Sequence, residues 1–146
     1  MPDAPPAPVR QAAPMPYEGQ VLEGHNGFRL KLVRISDEVL VMEGRYSGQG
    51  GLPREHYHPS QDESFEVLEG TVRAVVDGEE RRYSAGERFE IPAGTPHQMA
   101  GDGPARLHWE IRPALRMAEF FEVAYSGDPG EDFHERFAAE FRLTTS

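Results

Sequence analysis

The sequence contains no cysteine and only one lysine, and both facts exclude kinds of chemistry. Without cysteine there is no disulfide, no cysteine-ligated zinc, no iron–sulfur cluster and no thiol nucleophile. Lys31 is the one lysine among 15 basic residues, so Schiff-base catalysis would depend on a single side chain. Histidine, serine and the carboxylates remain as the reactive groups.

Clustered positive charge and long apolar runs are also missing. The formal net charge of −10 at pH 7 opposes binding to nucleic acid or to an anionic membrane surface. No run of about eighteen apolar residues is present, and the N-terminus lacks the cationic start and apolar stretch of a signal peptide. We therefore expect a cytoplasmic protein with neither a nucleic-acid nor a membrane partner.

The chain divides into three segments by composition. Its 146 residues suit one domain with a core of its own. Residues 1–16 are rich in proline and alanine, which predicts a flexible N-terminal arm. Residues 17–112 are predicted to form the barrel described below. Residues 113–146 are predicted to form a helical extension packed on the barrel or in a dimer interface.

Short β-rich runs separated by turn signals fill the middle segment. Asp77-Gly78 lies between two such runs and predicts a tight hairpin. Pro92, Gly94 and Pro96 together force a change of direction before His97. Many short strands with frequent turns are typical of an all-β sandwich or barrel. The strands are predicted at 28–35, 39–45, 63–70, 71–76, 79–83, 88–91 and 105–112.

The last third of the chain changes to a helical period. Apolar residues spaced by three and four along 117–125 predict an amphipathic helix. Asp128-Pro129 resembles a helix start, and phenylalanines then recur every four residues as far as Phe141. We expect two short helices whose aromatic stripes pack against the barrel or a second subunit.

A group of candidate metal ligands lies between Gly50 and Gly70. His56 and His58 are two residues apart, so in a strand both side chains point to the same face and can bind one ion. Pro59 then breaks the strand before Glu63 supplies a third donor. Imidazoles with one carboxylate suit a divalent transition metal better than calcium or magnesium.

The spacing of these residues resembles that of the cupin family. The first cupin motif is matched by Gly50, His56, His58, Glu63 and Gly70, and the second by the four residues Gly86, Pro92, Gly94 and His97. Gly101 departs from the second motif, because the family often has asparagine there. The departure leaves all four ligand positions of the family in place.

This resemblance implies the fold, the ligands and the assembly. It implies a jelly-roll, double-stranded β-helix barrel, here followed by the two C-terminal helices. It also implies that His56, His58, Glu63 and His97 bind one divalent metal, with Fe, Mn, Ni, Zn, Cu and Co all left open. A homodimer is the expected assembly.

An apolar pocket is predicted beside the metal, from residues that share strand parity with the ligands or the core. Core packing explains the apolar members equally well, and a solvated arginine is the ordinary alternative for the charged one. The candidates are Arg54, Phe65, Val67, Phe89, Met99 and Trp109.

Four protein ligands leave one or two coordination positions open, as in reactive metal sites. Our first hypothesis is therefore a metal-dependent dioxygenase, resembling the quercetinase-like cupins, that acts on a small enol- or carbonyl-bearing molecule. Glu63 would then also act catalytically by taking a proton. One alternative is a redox-neutral isomerase, cyclase or lyase with the metal as a Lewis acid. The other is a non-catalytic metal- or ligand-binding protein, so enzymatic activity itself is left open.

Overall fold

Residues 15–144 are described by a computed structural model of the chain. Most of the predicted arm at residues 1–16 lies outside this range, so the three-segment division stays a prediction. The strands are β1 Val21–Glu23, β2 Arg29–Ile35, β3 Leu40–Tyr46, β4 His56–Tyr57, β5 Asp62–Glu69, β6 Thr71–Val76, β7 Glu79–Ser84, β8 Arg88–Ile91, β9 His97–Gly101, β10 Ala105–Arg112 and β11 Arg142–Leu143. The helices are α1 Met117–Ala124 and α2 Phe133–Arg136.

The strands form two antiparallel sheets. One sheet has the order β1-β2-β3-β10-β5-β8 and the other the order β11-β4-β9-β6-β7. Within residues 15–144 no ladder joins the two sheets into a closed barrel. The predicted all-β class is confirmed, and the arrangement is compatible with a jelly roll.

The core consists of two clusters of buried side chains. In β10, Leu107 and Ile111 are buried while Arg112 is exposed, as expected for a strand with one face against a core. The first cluster joins β2, β3 and β10 to the helices through residues such as Leu32, and the second joins β5, β6 and β8. Trp109 packs against both clusters, so its indole lies where helices and sheets meet.

Two glycine turns explain where β5 and β6 end. Asp77 and Gly78 have φ angles of 51° and 81°, which confirms the predicted hairpin between β6 and β7. Gly70 has φ of 73° and faces the main chain of Pro104 so closely that any Cβ would overlap the carbonyl oxygen. Only glycine fits there without moving the backbone.

The C-terminal segment is partly as predicted. Helix α1 covers the expected stripe, but α2 begins at Phe133 rather than directly after Asp128. Gly127 and Gly130 have φ angles of 92° and 90°, and such left-handed residues cannot continue a helix through this stretch. Strand β11, which pairs with β4, was not predicted, because a strand of two residues is too short to show an alternating apolar and polar pattern.

Among the described residues, no helix is long and apolar enough to cross a membrane.

Candidate metal centre

The four predicted ligands come from both sheets. His56 in β4 lies directly opposite His97, the first residue of β9, within one sheet. Glu63 comes from β5 in the other sheet. His58 follows β4, and its carbonyl oxygen accepts a hydrogen bond of 2.8 Å from the Gly94 amide. This bond fixes His58 to the turn that precedes His97.

The three histidines lie close enough to share one ion. One ring nitrogen from each of His56, His58 and His97 lies within 4.8 Å of the other two. His58 and His97 are buried and His56 is partly buried. The His56 and His97 rings have centroids 4.4 Å apart, so the strand pairing brings together residues 41 positions apart.

Main-chain carbonyls set the orientation of all three rings. The Nδ1 atoms of His56, His58 and His97 lie 3.1, 2.7 and 2.9 Å from the carbonyl oxygens of Arg54, Glu140 and Thr95 respectively. Because a carbonyl oxygen only accepts, each Nδ1 carries a proton and donates it. In the neutral ring Nε2 is then a bare acceptor, which is the arrangement that metal-binding histidines commonly have.

The Glu63 carboxylate faces two of these acceptors. Its Oε1 lies 3.1 Å from His58 Nε2 and 3.0 Å from His97 Nε2. Its Oε2 accepts a hydrogen bond of 2.8 Å from the indole Nε1 of Trp109. Glu63 is 1% exposed, so bulk water does not solvate this charge.

Two of these buried atoms have no satisfactory protein partner. Within residues 15–144, neither Glu63 Oε1 nor His58 Nε2 has a partner in hydrogen-bond geometry, although the two atoms are close. Buried acceptors facing one another cost free energy unless a cation lies between them. Imidazole nitrogens with a carboxylate oxygen form a donor set for a borderline divalent ion. The residues present therefore fit a bound transition metal.

Burial and mutual attraction shift the pKa values of the residues in this group. Burial disfavours a charge on His58, but the attraction of the adjacent Glu63 carboxylate and the hydrogen bond to the Glu140 carbonyl outweigh burial and raise the pKa of His58. Burial likewise opposes ionisation of Glu63, yet His58 and His97 hold the pKa of this carboxyl well below its usual range. Burial, with the other two histidines, lowers the pKa of His56 to about 3.

The predicted pocket residues divide between the core and the surface. Phe65, Val67 and Phe89 are buried in the second core cluster and Met99 packs against it. The Phe65 ring stacks on Phe89 with centroids 4.8 Å apart. Arg54 is exposed. Their role in a substrate pocket stays a prediction, although Trp109 does contact a predicted ligand.

Two contacts of the site and one electrostatic interaction were not anticipated. The Glu140 carbonyl and the Phe141 ring reach His58 and His56 from the C-terminal end of the chain. Burial, Tyr125 and Glu63 together raise the pKa of the Tyr46 phenol. Sequence could not reveal the role of Glu140, because a main-chain carbonyl leaves no residue-type signal. Phe141 was assigned to a helical stripe, which hid its contact with His56.

The segment that carries the four donors matches a known family. The sequence model described as a cupin domain matches residues 39–111. This segment is half of the 146 residues, and it contains all four predicted ligands.

Curated relatives are similar over shorter stretches. The chain is 36% identical over 71 residues to the tetracenomycin polyketide synthase protein TcmJ of Streptomyces glaucescens, covering 47% of this chain and 48% of that protein. It is 35% identical over 60 residues to quercetin 2,3-dioxygenase of Bacillus subtilis strain 168, covering 41% of this chain and 17% of that protein. The chain thus spans about half of the first relative and under a fifth of the second.

Solved structures share the fold. KdgF from Halomonas sp. superposes with a TM-score of 0.59 at 22% identity, over 64% of this chain and 87% of that chain. Such a likeness concerns the fold alone.

Proposed function

The chain belongs to the cupin family, and we propose that it is a metal-dependent, dioxygenase-like enzyme acting on a small enol- or carbonyl-bearing molecule. The observation that carries this proposal is the buried convergence of ring nitrogens from His56, His58 and His97, with Glu63 Oε1 in contact with two of these rings. The cofactor would be one divalent transition metal out of Fe, Mn, Ni, Zn, Cu and Co.

The protein groups have separable tasks in this proposal. A bound divalent metal would supply Lewis acidity towards a substrate oxygen, and dioxygen activation if it is redox-active. The carbonyls behind the three imidazoles keep each Nε2 directed inward. The Trp109 indole holds Oε2 of Glu63 and leaves Oε1 facing His58 and His97.

Glu63 is also the proposed proton acceptor. His58 and His97 hold its pKa low against the effect of burial, so the carboxylate takes a proton only where its contacts with these histidines loosen. Substrate entering an open position beside Glu63 would loosen them. The proposed substrate-facing side chains are Arg54, Phe65, Val67, Phe89, Met99 and Trp109.

The names of the two relatives support the substrate class. One is named for dioxygenation of quercetin, a molecule with an enolic hydroxyl beside a carbonyl group. The other is named as a polyketide synthase protein, and polyketide chains carry ketones that enolise. The alternative for such enolisable substrates is a redox-neutral isomerase, cyclase or lyase that uses the metal only as a Lewis acid.

Metal content tests the site. Protein purified without chelator should contain close to one equivalent of metal, and His58→Ala should lose it because one donor is removed. His25→Ala is the matched control, since His25 is exposed and outside the group. Full occupancy in His58→Ala, measured by elemental analysis, would show that the ligand set is wrong.

Oxygen uptake tests the reaction, with quercetin as the probe. Iron- or nickel-loaded protein should consume oxygen on adding quercetin, and zinc-loaded protein should not, because zinc has no accessible redox change. Equal conversion by zinc- and iron-loaded protein without oxygen uptake would favour the Lewis-acid alternative. Quenching of Trp109 fluorescence without turnover would favour a non-catalytic binding protein.

A further inference from the structure

The chain end returns to the metal centre as a segment that we call the C-terminal strap, residues 140–144. Strand β11 within it pairs with β4, placing Leu143 opposite His56 and Arg142 opposite Tyr57. Beyond β11, the Thr144 amide donates to the Glu55 carbonyl at 3.2 Å and its hydroxyl to Glu55 Oε1 at 2.7 Å. The strap therefore lies beside the strand that supplies the first ligand. It is outside the matched family segment 39–111.

The strap contacts two of the three histidine ligands directly. The Glu140 carbonyl accepts the Nδ1 proton of His58 at 2.7 Å, and both residues are 3% exposed. The Phe141 ring stacks on His56 with centroids 4.7 Å apart and an interplanar angle of 23°. Phe141 also meets His58 edge-on at 6.0 Å.

Phe141 is held in this place by the helices. It stacks on Phe120 of α1, with centroids 4.7 Å apart and an interplanar angle of 27°. Phe141 therefore contacts both helix α1 and the His56 ligand. Phe133 is a useful comparison, because it also stacks on Phe120, at 5.2 Å, and none of its ring contacts within residues 15–144 is with a ligand histidine.

We propose that the C-terminal strap is a positioning element of the metal centre, with Glu140 orienting the His58 ring and Phe141 fixing the His56 ring. This inference rests on the proposed function, since it concerns exchange of the proposed metal. Two histidines held in their binding orientation lose less freedom when an ion binds, and an ion leaves more slowly when its ligands cannot rotate away. The strap thus slows metal release.

Cobalt release from loaded protein is the direct test. In Phe141→Leu, we expect Co²⁺ transfer to excess chelator, followed by visible absorption, to be about tenfold faster than in wild type. Loss of a group that orients a metal ligand typically weakens metal affinity by about tenfold or more, and we expect the loss in the release rate. Leucine retains most of the apolar volume, so the fold is kept. Phe133→Leu should change the rate less than twofold, and Phe141→Tyr, which keeps the stacked ring, should restore the wild-type rate.

A second measurement needs no metal. The Nδ1 proton of His58, bound to a buried carbonyl, should give a slowly exchanging NMR signal in the metal-free protein. Phe141→Leu should accelerate its exchange with water, because loosening the strap exposes the bond, while Phe133→Leu should leave it as in wild type.

The outcomes separate this inference from the function on which it rests. Equal Co²⁺ release rates and equal proton exchange in the two leucine variants would overturn the role of the strap, while the metal site would stand. Failure of the wild-type protein to bind Co²⁺ would instead overturn the proposed function.

Discussion

At the scale of single residues, Glu63 explains most about the site. Its two carboxylate oxygens face different partners, one towards His58 and His97 and the other towards the Trp109 indole. A nearly fully buried carboxylate is costly unless it is paired and hydrogen-bonded. The Trp109 indole reduces this cost at Oε2, and His58 and His97 reduce it at Oε1. A metal cation bound by the histidines would reduce the cost at Oε1 further.

The indole hydrogen bond can be removed with little change in packing. Trp109→Phe keeps an aromatic ring against Phe65 and Phe121 but leaves Glu63 Oε2 without its donor. We expect metal affinity to fall by about tenfold to a hundredfold, as for other groups that orient metal ligands. Calorimetric titration with Zn²⁺ measures this. His108→Gln on the same strand is the control and should bind as wild type; unchanged affinity in Trp109→Phe would refute the orienting role.

His56 should also make the metal-free fold sensitive to acid. The pKa of His56 is lowered to about 3 in the folded protein, against about 6.5 in an unfolded chain. As pH falls below the unfolded value, the unfolded chain takes up a proton that the folded chain refuses, so stability falls down to the folded pKa. Urea unfolding at several pH values should show this loss in wild type and a shallower loss in His56→Gln.

His58 and Glu63 also make the stability depend on pH, and their contributions are lost in opposite directions of pH change. The raised pKa of His58 contributes stability that is complete below its unfolded value and is lost as pH rises through the folded one. The lowered pKa of Glu63 contributes stability that is lost as pH falls through its folded value. Both groups are present in wild type and in His56→Gln. The prediction for His56 fails if the free energy of unfolding of the two proteins falls equally steeply between about pH 6.5 and pH 5.

At the scale of elements, strand pairing and turns together place the predicted ligands. His56 and His97 are brought together by strand pairing, whereas the turn at Pro59 separates His58, which follows β4, from Glu63, which lies in β5 of the other sheet. The Gly70 turn then returns the chain from β5 to β6. These turns were predicted from proline and glycine, whose backbone limits are local.

Alanine replacement at three glycines tests how strongly the backbone conformation of each turn depends on glycine. Gly51 has ordinary φ and open space, Gly78 has φ of 81° with open space, and Gly70 has φ of 73° and would clash with Pro104. Replacement by alanine should cost almost nothing at Gly51 and about 1 kcal/mol at Gly78, from backbone strain. At Gly70 the cost should be greater, because the main chain must also move. Urea unfolding gives all three values, and a different order would contradict the argument.

At the scale of the whole molecule, the candidate metal centre joins parts of the chain that are far apart. The predicted ligands come from both sheets, and helix α1 is linked to His56 through the stacked rings of Phe120 and Phe141. A bound ion would therefore stabilise the two sheets and the C-terminal segment together. Binding to the folded state alone shifts unfolding by mass action.

Metal loading should consequently raise the melting temperature. At a free Zn²⁺ concentration about 100 times Kd the gain is about 2.7 kcal/mol, which for a domain of this size corresponds to roughly 5–10 °C. Differential scanning calorimetry of metal-free and loaded protein measures the shift, and excess chelator should reverse it. The same shift in His58→Ala would show that Zn²⁺ acts elsewhere.

The homodimer stays a prediction for the molecule as a whole. The family resemblance suggests it, but much of the aromatic surface invoked for it is occupied within the chain, since Phe120, Phe121, Phe133 and Phe137 are buried in the first core cluster. Sedimentation equilibrium of the metal-loaded protein should give a mass near twice 16.4 kDa. A monomer would contradict the prediction.

The sequence by itself determined most of the strands and the Asp77-Gly78 hairpin, and it predicted the metal donors. These depend on local properties: alternation along a strand, the φ angles open to glycine and proline, and fixed spacing around His56 and His97. Only the tertiary structure decided what surrounds the donors. Glu140 lies 82 positions from His58 and Phe141 was placed in a helical stripe, so no local pattern connects them to the site. Their contacts exist because long-range packing returns the chain end to β4.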